Sequence, residues 1–364
     1  MKFDYSMPTE IYFQRGSIEK NKNAMKKLGC KALIVTGKNS SKRNGSLKDM
    51  TDALESLNIT YSIFDEVEEN PSLETIEKAA KIGKELKVDF LIGIGGGSPL
   101  DASKAVAVFI KNPQVNIDNI FTSGKLESIP VVAVPTTSGT GSEVTQYSIV
   151  TVHKEQTKKN LGQSVFPSIA YLDSSYTDSA PYSVTVNTAV DAFTHLVESY
   201  LNSNSTIMTD IYDEKGFELF KFCFDSLTRK ELTEEFRDKV MLASMLGGIA
   251  IAQNGTSLPH GMGYALTYNK NLPHGLANGM LTVAYLKSFK DKNKIMKMLN
   301  ILGLKNLEEL KSIFDSLFHV AIELSAEEIH QYAFSLAQNK AKLKNHPEEI
   351  TSQDIEQIYK NSLL

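Results

Sequence analysis

The apolar run Phe90–Ile94 (FLIGI) passes without a break into Gly95-Gly96-Gly97-Ser98-Pro99, and this junction restricts the fold more than any other feature. A short aliphatic and aromatic run bounded by glycine reads as a buried strand of a parallel sheet. Pro99 suits the first position of a helix, and Ser98 the capping position before it. A strand that turns over glycines directly into a helix is half of a βαβ unit. Lys31–Thr36 (KALIVT) is a similar run ending at Gly37, and Thr60–Phe64 follows after a polar helical stretch. An acidic turn at Glu66–Pro71, an amphipathic helix at Leu73–Leu86 and a strand at Pro130–Val134 complete the series. This alternation predicts a mostly parallel sheet.

From Ser183 onward helical periodicity takes over and strand candidates become few. Val240–Ala252 is apolar nearly all round and contains Gly247 and Gly248, which let neighbours approach closely. Its length fits a buried core helix and not a membrane span. With 364 residues the chain can hold two domains. The reading places an α/β domain at 1–180 and an all-helical domain at 181–364.

Charge and cysteine content exclude several roles. Lysine and arginine total 39 against 43 acids, a net charge of -4, so the basic face needed by nucleic acid or an anionic membrane is not expected. No apolar run approaches the ~18 residues of a spanning helix. The start, MKFDYSMPTE, has no apolar core of a secretory leader. Cys30 and Cys223 form neither a CxxC pair nor a disulfide framework. Together these features predict a cytoplasmic protein.

Two loops carry the chemistry of anion binding. In the first, three glycines clear side chains from a helix start whose free N–H groups and positive dipole end would hold a phosphate. Asp101, in the first turn, either complements that dipole or contacts the far end of a cofactor. The second loop, Pro135-Thr136-Thr137-Ser138-Gly139-Thr140-Gly141-Ser142-Glu143, also follows a strand. Its hydroxyls and glycines could wrap the phosphates and ribose of a dinucleotide, at the strand ends where open parallel sheets bind ligands.

A candidate metal set is also present, although a helix-surface ion pair is open to Asp191 and His195, and capping or core packing to His260 and His274. Asp191 and His195 lie four apart in a helical segment, Val186–Leu201, and so share one face. His260 and His274 are flanked by Gly261, Gly263, Pro273 and Gly275, so each imidazole is expected to enter from a helix end or bend. Three histidines and a carboxylate suit Zn(II) or Fe(II).

These motifs together resemble the iron-containing (group III) alcohol dehydrogenases, most closely the 1,3-propanediol dehydrogenase-like members. The carriers are GGGSPLDASKA (Gly95–Ala105), PTTSGTGSEVT (Pro135–Thr145), TAVDAFTHLVESY (Thr188–Tyr200) and HGMGYALTYNKNLPHGLANG (His260–Gly279), in the family's order and over nearly the whole chain. The resemblance implies the dehydroquinate synthase-like architecture, with an active site between the two domains. It implies Asp191, His195, His260 and His274 as metal ligands, and a homodimer acting on a small alcohol or aldehyde. It also implies that Gly95, Gly96, Gly97 and Ser98 bind the pyrophosphate, that Thr136, Thr137 and Ser142 line the cofactor, and that Lys159 reaches its ribose. The implied metal is Fe(II), Zn(II) being possible, and it would act as a Lewis acid on the substrate oxygen. A Zn-dependent polyol dehydrogenase of the glycerol type and a metal-dependent hydrolase are the alternatives.

Two positions depart from the family pattern. Where many members carry a second histidine four residues after the third ligand, this chain has Tyr264. A phenol with an ordinary pKa near ~10 is a weaker proton relay at neutral pH, and packing against the cofactor is the other role open to it. Where NAD-preferring members often have an aspartate after the first strand, this chain has Gly37, followed by Lys38-Asn39-Ser40-Ser41-Lys42-Arg43. Losing the acid removes repulsion of a 2′-phosphate, and Ser40, Ser41 and Lys42 supply donors for it. The reading therefore expects NADP(H) to be preferred over NAD(H).

Overall fold

The computed structural model describes residues 3–155, 157–320 and 322–363. It divides into two compact units, Met7–Ala180 and Pro181–Leu364, the second joined by Met1–Ser6.

The first unit is built on a six-stranded sheet in the order β1-β8-β5-β4-β2-β3. Its strands are β1 (Glu10–Phe13), β2 (Lys31–Thr36), β3 (Thr60–Phe64), β4 (Phe90–Gly95), β5 (Val131–Pro135) and β8 (Ile169–Leu172). Every pairing is parallel. Alternation along each strand divides the apolar residues between two cores. Ala32 and Ile34 enter one with Met50 and Leu54, whereas Leu33 and Val35 enter the other with Ile76 and Phe109. This is why β2 and β4 read as unbroken apolar runs. A small antiparallel hairpin, β6 (Ile149–Val152) with β7 (Thr157–Asn160), completes the unit.

The helix Leu73–Leu86 begins where its cap dictates, with Ser72 accepting from the Thr75 N–H. The helix after the glycines departs from expectation: it spans Gly97–Lys111, with Gly96 at the capping position and no side-chain cap. Ser98 and Pro99 are therefore its second and third residues. Gly95 makes the early start feasible, because its φ of +151° turns the chain at once.

The second unit is helical. Its longest elements are Tyr182–Tyr200, Ile207–Arg229, Glu234–Asn254, Leu258–Lys270 and His274–Ser288. The first begins at Tyr182, four residues before the expected start, because Pro181 supplies a break there. Phe193 anchors its core, edge-on to Phe217, Phe220, Phe224 and Phe314. Val240–Ala252 lies inside the buried helix Glu234–Asn254. A Cβ at Gly247 would stand 3.3 Å from the Ala192 carbonyl, so the missing side chain sets how near that helix comes to Tyr182–Tyr200. Tyr5 and Ser6 belong to this unit through Tyr5 Oη–Tyr212 Oη (2.9 Å) and Gln253 Nε2 donating to the Ser6 carbonyl (2.8 Å). Among the described residues no helix is long and apolar enough to cross a membrane.

Candidate metal centre and cofactor loops

In the sheet unit, strand order reverses between β2 and β4, since β3 lies outside β2 while β4 and β5 continue on its other side. Such a reversal opens a crevice at the carboxyl ends of the strands. The segments after β2, β4 and β5 therefore share one edge, and hydrogen bonds join them. Thr36 Oγ1 donates to the Ile94 carbonyl at 2.7 Å, and the Thr136 N–H donates to the Gly95 carbonyl at 2.9 Å.

The glycine triplet serves packing as well as clearance. A Cβ at Gly95 would lie 2.6 Å from Pro99 Cγ, and one at Gly97 2.7 Å from Thr140 Cγ2. At Gly96 the nearest atom would be Thr137 Oγ1, 3.2 Å away. The triplet thus lets the two loops interlock, while Gly96, Gly97 and Ser98 keep partial exposure at a helix start able to hold an anion. Ser98 Oγ accepts from the Asn70 N–H at 3.0 Å.

Asp101 and Ser142 face inward. Ser142 Oγ donates to Asp101 Oδ1 at 2.5 Å, and the Ile149 N–H donates to Asp101 Oδ2 at 2.9 Å. Lys104, fully buried and missed in the sequence, donates to Ser142 Oγ (2.8 Å) and the Tyr147 carbonyl (2.7 Å). Burial pulls its ammonium pKa down to about 8, with Asp101 and Glu143 opposing. Burial likewise pushes Glu143 up to about 7. Asp101 and Ser142 thus tie the second loop to the Gly97–Lys111 helix. Ser138 is also buried, and its Oγ has no hydrogen-bond partner among the described residues.

After β2, the expected 2′-phosphate donors separate. Gly37 and Ser40 keep exposure, but Ser41 is fully buried and its Oγ shares a 2.8 Å hydrogen bond with Thr36 Oγ1. Lys42 pairs with Asp65 at 2.6 Å on the surface. One turn of helix, Ser40–Arg43, turns the Ser41 hydroxyl inward while Ser40 stays exposed.

Lys159 leaves its hairpin on the side opposite Lys158. In the β6–β7 hairpin Val150 faces Lys159 and Thr151 faces Lys158, so successive lysines leave on opposite sides. Lys159 pairs with Glu155 and lies 5.2 Å over the Phe121 ring. Lys158 instead donates to Asn70 Oδ1 at 2.7 Å, and Asn70 is the residue bonded to Ser98. Burial lowers the Lys158 ammonium to about 8. Lys158, not Lys159, is the lysine beside the glycine loop.

In the helical unit, three elements bring the metal set together. Asp191 and His195 lie one turn apart on Tyr182–Tyr200. His260 is the third residue of Leu258–Lys270, and His274 is the first of His274–Ser288. Gly275 permits this approach: a Cβ there would stand 1.9 Å from the Asn187 carbonyl oxygen. Donor atoms of Asp191, His195 and His260 lie within 4.8 Å of one another, all buried. His260 Nε2 is 3.6 Å and His274 Nε2 3.8 Å from Asp191 Oδ1. The His195 and His260 rings stack at 4.5 Å, and those of His260 and His274 meet edge-on at 5.1 Å.

The donor set fits a divalent cation. Tetrahedral ligands ~2.1 Å from one ion lie roughly 3.4 Å apart, close to the spacings here. His260 Nε2 is buried without a hydrogen-bond partner among the described residues, at too long a range from Asp191 to form one. Electrostatics agree. Burial would raise the Asp191 pKa, but His195, His274 and His260 hold it well below the usual carboxylate range.

Two further side chains flank the set. Asn278 Nδ2 donates to Asp191 Oδ1 at 3.1 Å. The Tyr264 ring stacks on His274 at 5.6 Å and 13°, with Lys342 Nζ 5.6 Å from its centroid. Glu198, on the helix of Asp191 and His195, touches His260 Nδ1; sequence reasoning missed it, although it lies within the THLVES stretch.

Comparison with known proteins agrees with both units. An iron-containing alcohol dehydrogenase of known crystal structure superposes with a TM-score of 0.93 at 38% identity, covering 100% of this chain and 99% of that one. One from Thermotoga maritima gives 0.92 at 38% identity and the same coverage. The NADPH-dependent butanol dehydrogenase of Clostridium saccharobutylicum is 32% identical over 88% of this chain and 83% of its own length. Residues 8–174 match the family described as iron-containing alcohol dehydrogenase, and residues 185–363 match the C-terminal domain of the Fe-containing alcohol dehydrogenase family. The chain belongs to the iron-containing alcohol dehydrogenase family, whose alcohol and aldehyde oxidoreductases include NAD(P)-dependent members.

Proposed function

We propose that this chain transfers a hydride between NADP(H) and a small alcohol or aldehyde, as a cytoplasmic homodimer holding one Fe(II). The observation that carries this reading is the convergence of the buried Asp191, His195 and His260 with the partly exposed His274, His260 Nε2 having no hydrogen-bond partner among the described residues. A divalent ion bound there supplies Lewis acidity toward the substrate oxygen. Asp191 contributes charge, and Asn278 holds its carboxylate in place. The Tyr264 ring packs against His274 and keeps that imidazole in position.

In the sheet unit, Gly95, Gly96, Gly97 and Ser98 hold the pyrophosphate at the start of the Gly97–Lys111 helix. Thr136 and Thr137 line the cofactor, and Lys158 takes the place first expected of Lys159. Asp101 and Ser142 act indirectly, by fixing the second loop. The NADP(H) preference rests on Gly37 and the exposed Ser40, without Ser41. The NADPH-dependent relative from Clostridium saccharobutylicum is in accord with it. The matches to an iron-containing family do not favour the Zn-dependent polyol alternative, and family membership sets the hydrolase aside.

The test is absorbance at 340 nm with anaerobically Fe(II)-loaded protein, short aldehydes and alcohols, and both nicotinamide cofactors. Metal-dependent turnover favouring NADP(H) is the expected outcome. Turnover favouring NAD(H) overturns the cofactor preference alone, and metal-independent turnover overturns the role of the ion.

A further inference from the structure

We infer that Glu198 is a positioning residue for the metal centre: its carboxylate fixes His260 in the Nδ1–H tautomer and turns the Nε2 lone pair toward the ion. The inference rests on the metal reading proposed above.

Glu198 lies three residues after His195 and seven after Asp191 on Tyr182–Tyr200, so all three share one helix face. Its side chain is fully buried, and an ionised carboxylate so placed is costly unless it is paired. The pairing is specific. Oε1 contacts His260 Nδ1, while Oε2 accepts from the Ser257 N–H at 2.5 Å and lies 3.5 Å from the His260 N–H. An ionised carboxylate only accepts, so the proton between Glu198 and His260 sits on Nδ1 when the imidazole is neutral. The other ring nitrogen is then an acceptor, and it is the buried Nε2 facing Asp191, which has no hydrogen-bond partner among the described residues.

The same carboxylate replaces a missing cap. Ser257 precedes the helix Leu258–Lys270 and makes no side-chain capping bond. Glu198 accepts from the backbone there, holding the helix start and the His260 ring with one group. Lys342 supplies a compensating positive charge and is anchored by donating to Thr256 Oγ1 at 2.7 Å. A carboxylate behind a ligating imidazole fixes the ring and raises its basicity.

The experiment titrates Co(II) into the metal-free full-length enzyme and into Glu198→Gln, following the visible d–d absorption. An amide keeps one acceptor but presents an N–H where the Ser257 N–H also donates, and it loses the charge. Glu198→Gln should bind Co(II) about 10- to 100-fold more weakly, with a changed band shape and an unchanged far-UV circular dichroism spectrum. Wild-type affinity and an unchanged band in the variant overturn the role of Glu198 and leave the metal reading intact. Failure of the wild-type protein to bind Co(II) overturns the metal reading itself. As a second measurement, ¹⁵N-histidine NMR of the Zn(II)-loaded wild-type enzyme reports the tautomer directly. A protonated Nδ1 and a coordinated Nε2 at His260 support the inference, and coordination through Nδ1 overturns it.

Discussion

Lys104 donates to Ser142 Oγ at 2.8 Å from a position closed to solvent, although 38 residues separate them. This bond clamps the loop after β5 to the helix that the glycine loop opens. Replacing Lys104 by Met leaves the Asp101 carboxylate, 3.7 Å from the ammonium and only 14% exposed, beside an apolar chain. Removing one partner of a buried ion pair typically costs about 3–5 kcal/mol. Lys104→Met should therefore lower stability in urea by about that amount and weaken nicotinamide cofactor binding, read by fluorescence titration. Unaltered cofactor affinity would separate the clamp from the binding surface.

The cofactor preference is expected to turn on Gly37. A carboxylate there repels a 2′-phosphate, so Gly37→Asp should shift the NADP(H)/NAD(H) ratio of kcat/KM at least about tenfold toward NAD(H), a change of ~1.4 kcal/mol. Its Cβ would meet the Val67 carbonyl at 3.3 Å, so small loop adjustment accommodates it. Ser41→Ala should change stability and leave the ratio alone, because its hydroxyl bonds Thr36.

Removal of the ion should be felt as loss of stability. A ligand at about a thousandfold its Kd contributes ~4 kcal/mol to the folded state. Chelator dialysis should accordingly lower Tm and abolish turnover, and Fe(II) should restore both. His260→Ala should keep the fold but lose this metal-dependent rise in Tm.

Gly275 is expected to tolerate no side chain. Its Cβ would stand 1.9 Å from the Asn187 carbonyl oxygen, a backbone atom that cannot rotate away. Gly275→Ala should cost about 3 kcal/mol or more in urea unfolding and reduce metal affinity, because the residue adjoins His274.

A pH response should come from His346. Its ring is buried against Tyr285 and Phe289, and burial lowers its pKa to about 4, against the pull of Glu348 and Asp354. The folded pKa lies below the unfolded value of 6.5, so the unfolded chain binds more protons between the two. His346 therefore contributes stability that is complete above about pH 6.5 and is lost as pH falls toward 4, by at most ~1.4 kcal/mol per pH unit. His346→Gln should flatten this part of the stability profile, measured by urea denaturation at successive pH values.

The parallel sheet was legible because local patterns obey local rules. Ala32–Thr36 and Phe90–Ile94 are buried on both faces, and Leu73–Leu86 is capped by the Ser72 just before it. The pairing of Asp191 with His195 was equally local, since four residues on a helix return to the same face. β1 and β8 were not legible, because four-residue strands carry too little alternation to stand out. Tertiary structure decided the rest. It brought His260 and His274 to Asp191, set Lys158 beside the glycine loop through a hairpin register, and turned Ser41 inward. It also placed Glu198 behind His260, 62 residues away in sequence. Periodicity fixes which face a residue occupies along its own element. Which faces meet depends on close packing between elements, here permitted by glycines such as Gly247 and Gly275 whose missing side chains bring the helices together.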